Sequence, residues 1–213
     1  MKRAALLEMV GDEPLFTTGM LAGPGADLQD VRKQLSRWVK DGTVLQLRRG
    51  LYALGAPYRR RDPHSFEISN ALVPGSYVSL ETVLADAGLI PEAVFATTAV
   101  TTGRQGSRNT PFGLYVYQHV KEALFWGYGP TDIDGGRVAF VASPEKALLD
   151  MAYLRSYSDS PAFMRELRLQ RLDSVDSERL SSFARRFGSK KVEHFARGVI
   201  ALARQELEEF EES

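Results

Sequence analysis

Cysteine is absent from the 213-residue chain, which excludes disulfides, thiolate metal sites and a cysteine nucleophile and fits a reducing compartment. Histidine is scarce as well. His64, His119 and His194 are scattered without metal-ligand spacing, and no Gly-rich phosphate loop occurs, so neither a metal nor any other cofactor is expected. No apolar run reaches membrane-spanning length, and the stretch MKRAALLEMVGDEP is too short in its apolar part for a signal peptide, so a cytoplasmic protein without membrane contact is expected. Net charge is missing too, since 27 Lys and Arg balance 27 Asp and Glu. The balance hides a polarity: residues 1–61 hold eleven Lys and Arg against six acids, and residues 62–213 hold the other sixteen against twenty-one. A basic front half is what a partner rich in phosphate would meet.

What is present starts with Asp27 to Leu54. Asp27 is an N-cap residue, and Leu28, Val31, Leu35, Trp38 and Val39 recur at the spacing of one buried helical face. The other face carries Gln29, Arg32, Lys33, Ser36, Arg37 and Lys40, and Gly42 is the expected stop. A charged outer face is commonly only a solvated one. Here a hairpin follows directly, two short strands in TVLQLRRGLYAL joined at Arg48-Arg49-Gly50. Upstream, KRAALLEMV reads as a helix with Ala5, Leu6, Met9 and Val10 on one face, Thr17 or Thr18 as the cap of a short second helix, and Gly23-Pro24-Gly25 as a turn. This is the order of a winged helix-turn-helix, in which a helix enters the major groove and the hairpin lies along phosphates. Arg32, Lys33, Ser36 and Arg37 are the candidates for groove contacts, with Gln29 a further DNA-binding candidate on the same face. Lys40, Arg48 and Arg49 are the candidates for phosphates, with Tyr52 either core or contact.

A basic linker, YRRRDP from Tyr58 to Pro63, places a domain boundary after residue 61. Domain one is residues 1–61 and domain two residues 62–213. Beyond it the texture is mixed α/β: a helix in HSFEISNALV, an extended Tyr77-Val78, and a helix in SLETVLADAGL capped by Ser79 or Thr82. Strands are expected at VFATTAVTT, FGLYVYQHV, ALFWGY and RVAFVAS, with GRQGSRNTP (103–111) as a polar loop and Asp132-Ile133-Asp134 in a turn region. SPEKALLDMAYL makes a helix with Ser143 as cap and Pro144 at its first position, and the chain is helical from residue 161 onward. The fold class is α+β, a winged helix-turn-helix followed by a mixed α/β domain with a helical C-terminal tail.

No enzyme constellation emerges. A nucleotidyltransferase needs Gly-Ser followed closely by paired carboxylates, and Gly106-Ser107 is far from Asp132 and Asp134. A nuclease needs a carboxylate one residue from a Lys on a strand, and Glu145-Lys146 are adjacent on a helix, with Asp150 at ordinary helical pairing distance from Lys146. The aromatic Leu124, Phe125, Trp126 and Tyr128 are core or, if exposed, a partner surface. A rival to the DNA-binding reading is an interaction module, in which the acidic tail from Glu206 to Glu212 with Phe210 docks on a basic partner.

The succession LQLRRGLYAL, YVSLETVLADAGLIPE, a strand ending Thr101-Thr102-Gly103-Arg104, LFWGY and ASPEKALLDMAYL resembles the AbiEi family, antitoxins and regulators of AbiE-type toxin–antitoxin systems. The likeness runs from Leu15 to about Leu154. It implies an N-terminal winged helix on operator DNA, an autoregulating antitoxin, and a rear domain that contributes to repression and to antagonising a nucleotidyltransferase toxin. It leaves room for a homo-oligomer on DNA.

Overall fold

A computed structural model describes residues 2–22, 27–91 and 94–211, the side chains of 209–211 excepted. The chain is mixed α+β, with two sheets among the described residues. Helix α1 (Arg3–Val10) buries Leu6 and Val10 and leaves Met9 about half exposed. The expected second helix is not formed. Phe16–Thr17 is instead a short strand, β1, and the Thr17 hydroxyl accepts from Met20 N at 3.3 Å to close a single turn. Four residues around Gly19 are too few to repay helix nucleation. The expected Gly23-Pro24-Gly25 turn lies outside the described residues. Helix α2 (Leu28–Lys40) follows, then β2 (Val44–Arg48) and β3 (Leu51–Leu54), giving an antiparallel sheet of order β1-β3-β2.

The second sheet has six strands in the order β6-β7-β5-β4-β9-β8. These are β4 (Ser76–Val78), β5 (Ala96–Thr101), β6 (Gly106–Thr110), β7 (Gly113–His119), β8 (Tyr128–Asp134) and β9 (Arg137–Ala142). The β5–β7 and β4–β9 pairs are parallel and the rest antiparallel. Two expectations are corrected here. The stretch 103–111 is largely strand, since Gly106 to Thr110 find ladder partners in Tyr117 to Gly113. Asp132 and Asp134 sit in β8, where Pro130 is tolerated because β8 is an edge.

Helix α3 (Ser65–Leu72) lies on one face of this sheet, capped by His64 Nδ1 accepting from Phe66 N. Helices α4 (Glu81–Asp86), α5 (Pro144–Leu154), α6 (Pro161–Glu166), α7 (Ser177–Phe187) and α8 (Lys190–Glu211) follow, with α4, α7 and α8 packed on α5. Neither Ser79 nor Thr82 caps α4. Ser79 donates to Asp150, and Thr82 accepts from Thr98 N at 2.7 Å, while Leu80 holds the cap position at φ 63°. The expected strand in ALFWGY is instead a 3-10 turn (Glu122–Leu124) leading into β8. The helix expected in AFMRELRLQRL stops at Glu166, and Arg168 and Arg171 adopt positive φ before a 3-10 turn at Leu172–Ser174.

Three hydrophobic clusters divide the interior. The first joins Leu6, Val10, Phe16, Val31, Leu35, Trp38, Val44, Tyr52 and Leu54. The largest lies between the six-stranded sheet and α4, α5, α7 and α8. The third is a seam: Leu47, Leu51 and Ala53 of the hairpin pack on Ile68 and Leu72 of α3 and on Ala99, Tyr115 and Tyr117 of the sheet. The hairpin is thus a middle layer, buried on both faces.

Candidate nucleic-acid interface

Helix α2 begins because Asp27 accepts from Gln29 N at 2.7 Å, satisfying one of the free N–H groups of the first turn. It ends at Asp41, whose carboxylate accepts from Thr43 N and is held below its usual range by hydrogen bonds from Thr43. Gly42, at φ 77°, then turns the chain into β2. The base of the hairpin closes on this turn through Gly55, whose amide donates to Thr43 O at 2.8 Å. A Cβ at Gly55 would lie 2.1 Å from the Gly42 carbonyl oxygen, so only glycine permits this approach.

Val31, Leu35 and Trp38 fix the buried face of α2 against the hairpin, while Leu28, expected with them, stays 44% exposed. Gln29, Arg32, Lys33, Ser36, Arg37 and Lys40 are all exposed. At about 100° per residue they occupy an arc of roughly 140° opposite the core-facing residues. Lys33 pairs with Asp30 at 3.3 Å. Among the described residues Arg32, Arg37 and Lys40 engage no partner.

The hairpin residues divide. Arg49, at the tip beside Gly50, is exposed and unengaged among the described residues. Arg48 is committed elsewhere, its guanidinium donating through Nε and Nη2 to the Ala71 carbonyl at 3.2 and 3.0 Å and through Nη1 to Arg49 O. Ala71 is in the last turn of α3, where carbonyls lack helical partners, so a cation is drawn there. In this structure, which holds no DNA, Arg48 therefore ties the hairpin to α3 rather than standing free as Arg49 does. Tyr52 is corrected to core: it is 6% exposed and stacked on Phe16 with centroids 5.8 Å apart.

The linker cations are partly absorbed. Arg59 bonds Asp62 and Leu54 O and lies over the Phe112 ring, and Arg60 pairs with Asp12 at 3.0 Å, leaving Arg61 exposed.

The aromatic cluster is not a surface. Leu124 and Trp126 are buried, and Phe125 and Tyr128 stack around Tyr77. Beneath them lies what sequence reasoning missed. Lys146 and Asp150, one turn apart on α5, form a salt bridge with no exposed side-chain surface. Asp150 Oδ2 accepts from Tyr77 Oη at 2.9 Å and from Ser79 Oγ at 2.8 Å, and Lys146 Nζ donates to Tyr77 Oη at 2.8 Å. The ammonium also sits 4.9–5.2 Å from the ring centres of Tyr77, Trp126 and Phe187. Burial pushes the Lys146 ammonium down and the Asp150 carboxyl up, each opposed by its partner. Burial and the Asp150 charge raise the Tyr77 hydroxyl. The four polar groups satisfy one another and offer no face to a substrate. The i, i+4 spacing was visible in sequence; its complete enclosure was not.

Among the described residues no group of His, Cys, Asp and Glu has metal-site geometry, and no helix is long and apolar enough to cross a membrane. No protein-family model matches the chain, and no curated protein matches it.

Proposed function

We propose that this chain is a sequence-specific regulator binding double-stranded DNA, with α1, the Thr17-closed turn, α2 and the β2–β3 hairpin acting as a winged helix-turn-helix whose second helix is reduced to one turn. The observation that carries the reading is the outer face of α2: six exposed side chains able to bond bases or phosphates, three of them cations with no partner among the described residues. Arg32 and Arg37 read bases, where an Arg on guanine discriminates by about 1–3 kcal/mol. Lys40 and Arg49 hold phosphates. The resemblance to the AbiEi family adds the biological setting, an operator beside the protein's own gene and a nucleotidyltransferase toxin as partner.

Fluorescence anisotropy with the duplex upstream of the gene, against a shuffled duplex, tests it. The native duplex should bind more tightly, Arg32→Ala should narrow the difference between duplexes, and Arg49→Ala should weaken both alike and flatten the salt dependence by about 0.9 in log–log slope. Equal affinity for both duplexes in the unaltered protein would refute sequence-specific recognition. The antitoxin role is tested by co-expression with the product of any adjacent nucleotidyltransferase gene, where rescue of growth is expected and continued toxicity would remove that role.

The interaction-module alternative has less support. Glu206, the first acid of the tail, accepts from Arg171 N and Leu172 N at 3.1 and 2.8 Å, so it serves the protein's own fold. The Phe210 side chain and Glu212 lie outside what is described.

A further inference from the structure

Strands β5 and β7 work on both faces. On one, Ala99, Tyr115 and Tyr117 meet the hairpin. On the other, Thr98 and Val116 stand side by side in register in the lining of a cavity of about 770 Å³. Met151 of α5, Phe163 of α6, and Ile90 and Leu167 complete its apolar part. The volume is that of a small-molecule site, and such sites are apolar clefts with a few placed polar groups. Phe95 borders the cavity with 95% of its surface exposed. A ring left in water adds nothing to the core, and it buries apolar area only when something occupies the space beside it.

Two polar groups of the lining lack partners among the described residues. Glu81 gives one carboxylate oxygen, Oε1, to Arg155 Nη2, and its other oxygen, Oε2, is buried without a donor. The side-chain amide of Gln118 is the second. Thr98 has nothing left to offer, since its hydroxyl donates to Ser79 O at 2.6 Å and accepts from Thr82 N at 3.1 Å. Buried acceptors are paired as a rule, so an unpaired carboxylate oxygen in a cavity wall is suited to a donor from outside the chain. The Lys146–Asp150 cluster, whose groups satisfy one another, offers no such acceptor. Charge selects the kind of donor. The charged residues of the lining are Glu81, Glu166 and Arg155, two acids against one base, and the base is already paired with Glu81.

We propose that this cavity binds a small amphipathic amine, its apolar body between Phe95, Val116 and Phe163 and its ammonium on Glu81 Oε2. An ammonium carries only donors, and its hydrogen bond to a carboxylate is stronger than one between neutral groups. Glu166 on the exposed side adds to the attraction. A carboxylate ligand of the same shape would bring a second acceptor to an oxygen that already lacks a donor. Gln118 supplies one further hydrogen bond to a polar substituent of the ligand. The site stands independently of DNA binding by α2, and no nucleic acid enters its test.

The test is calorimetric titration of the full chain at neutral pH with three probes of one shape, naphthylmethylamine, naphthylmethanol and naphthylacetate. The amine should bind about tenfold more tightly than the alcohol, the scale of one hydrogen bond to a charged group, and the acetate more weakly than either. Glu81→Gln keeps the shape and removes the charge, so it should cost the amine about tenfold and leave the alcohol unchanged. Phe95→Ala should weaken amine and alcohol alike, by about fivefold, through lost apolar contact. Ala96→Trp, which places a large ring in the lining, should abolish binding of all three. Thermal melts show which variants are folded. Equal affinity for amine and acetate, no heat from any probe at millimolar concentration, or an amine preference that survives Glu81→Gln would overturn the proposal. If Glu81→Gln does not fold, Phe95→Ala, altered at a side chain outside the core, and Ala96→Trp decide, and full amine affinity in both overturns the site.

Discussion

Lys146→Met isolates the buried pair. Methionine keeps most of the lysine stem, which matters because Gly127 lies flat against it: a Cβ there would be 2.9 Å from Lys146 Cδ. The ammonium alone is removed. Asp150 is then left with no exposed surface and two hydroxyl donors, Tyr77 and Ser79. Breaking a fully buried pair from one side costs about 3–5 kcal/mol when the remaining charge persists. The carboxyl can escape by taking a proton, since burial already raises its pKa and the variant removes the opposing lysine. A carboxyl whose folded pKa lies above the unfolded value of about 3.9 favours the folded state below that value, and this contribution is lost as pH rises toward the folded pKa. The deficit relative to the unaltered protein should therefore be small near pH 4 and grow to its full size at neutral pH. Urea melts from pH 4 to pH 8, read by tryptophan fluorescence and circular dichroism, measure it. A deficit below about 1 kcal/mol at pH 7, or one that does not change with pH, would refute the claim that Asp150 carries a charge in the core.

Tyr52→Ala should destabilise by about 3–5 kcal/mol, whereas Tyr52→Phe should leave both stability and DNA affinity near the unaltered values, because the ring packs on Phe16 inside the core. A large loss of affinity in the phenylalanine variant would restore Tyr52 to the interface. Gly55→Ala should cost about 2–3 kcal/mol and lower the melting temperature by roughly 5–10 °C, since its Cβ would meet the Gly42 carbonyl at 2.1 Å; an unchanged melting curve would show that the hairpin base can open freely. Arg48→Ala should cost about 1 kcal/mol of stability through the lost bonds to Ala71 O and leave the DNA salt slope unchanged. A slope reduced as much as in Arg49→Ala would show that Arg48 leaves α3 for phosphate when DNA binds.

Much of the architecture could be read from local chemistry. Asp27 and Gly42 bound α2, Gly50 turns the hairpin, and Ser143 with Pro144 starts α5, because caps and positive-φ positions are decided by residues within one turn. What escaped depends on partners distant in sequence. The stretch 103–111 reads as a loop because its side chains are polar, yet an edge strand with one solvated side needs no apolar pattern once β7 supplies the ladder. Arg48 and Arg49 are indistinguishable in sequence, and only the position of Ala71, far along the chain, separates them. Lys146 and Asp150 look like a surface pair at helical spacing. Only the arrival of Tyr77, Trp126 and Phe187 from three other segments makes them a buried one.

The double burial of the hairpin bears directly on how DNA would be held. A wing free on one side can settle onto phosphates; here Leu47, Leu51 and Ala53 are spent on α3 and the large sheet, and Arg48 on Ala71. Of the hairpin's cations, Arg49 alone is unengaged among the described residues, too little by itself to replace a wing. One consequence follows. The orientation of α2 is set by α3 and the six-stranded sheet through the hairpin it packs on, so under the DNA-binding proposal substitutions in this buried seam, such as Leu51→Ala, should alter DNA affinity.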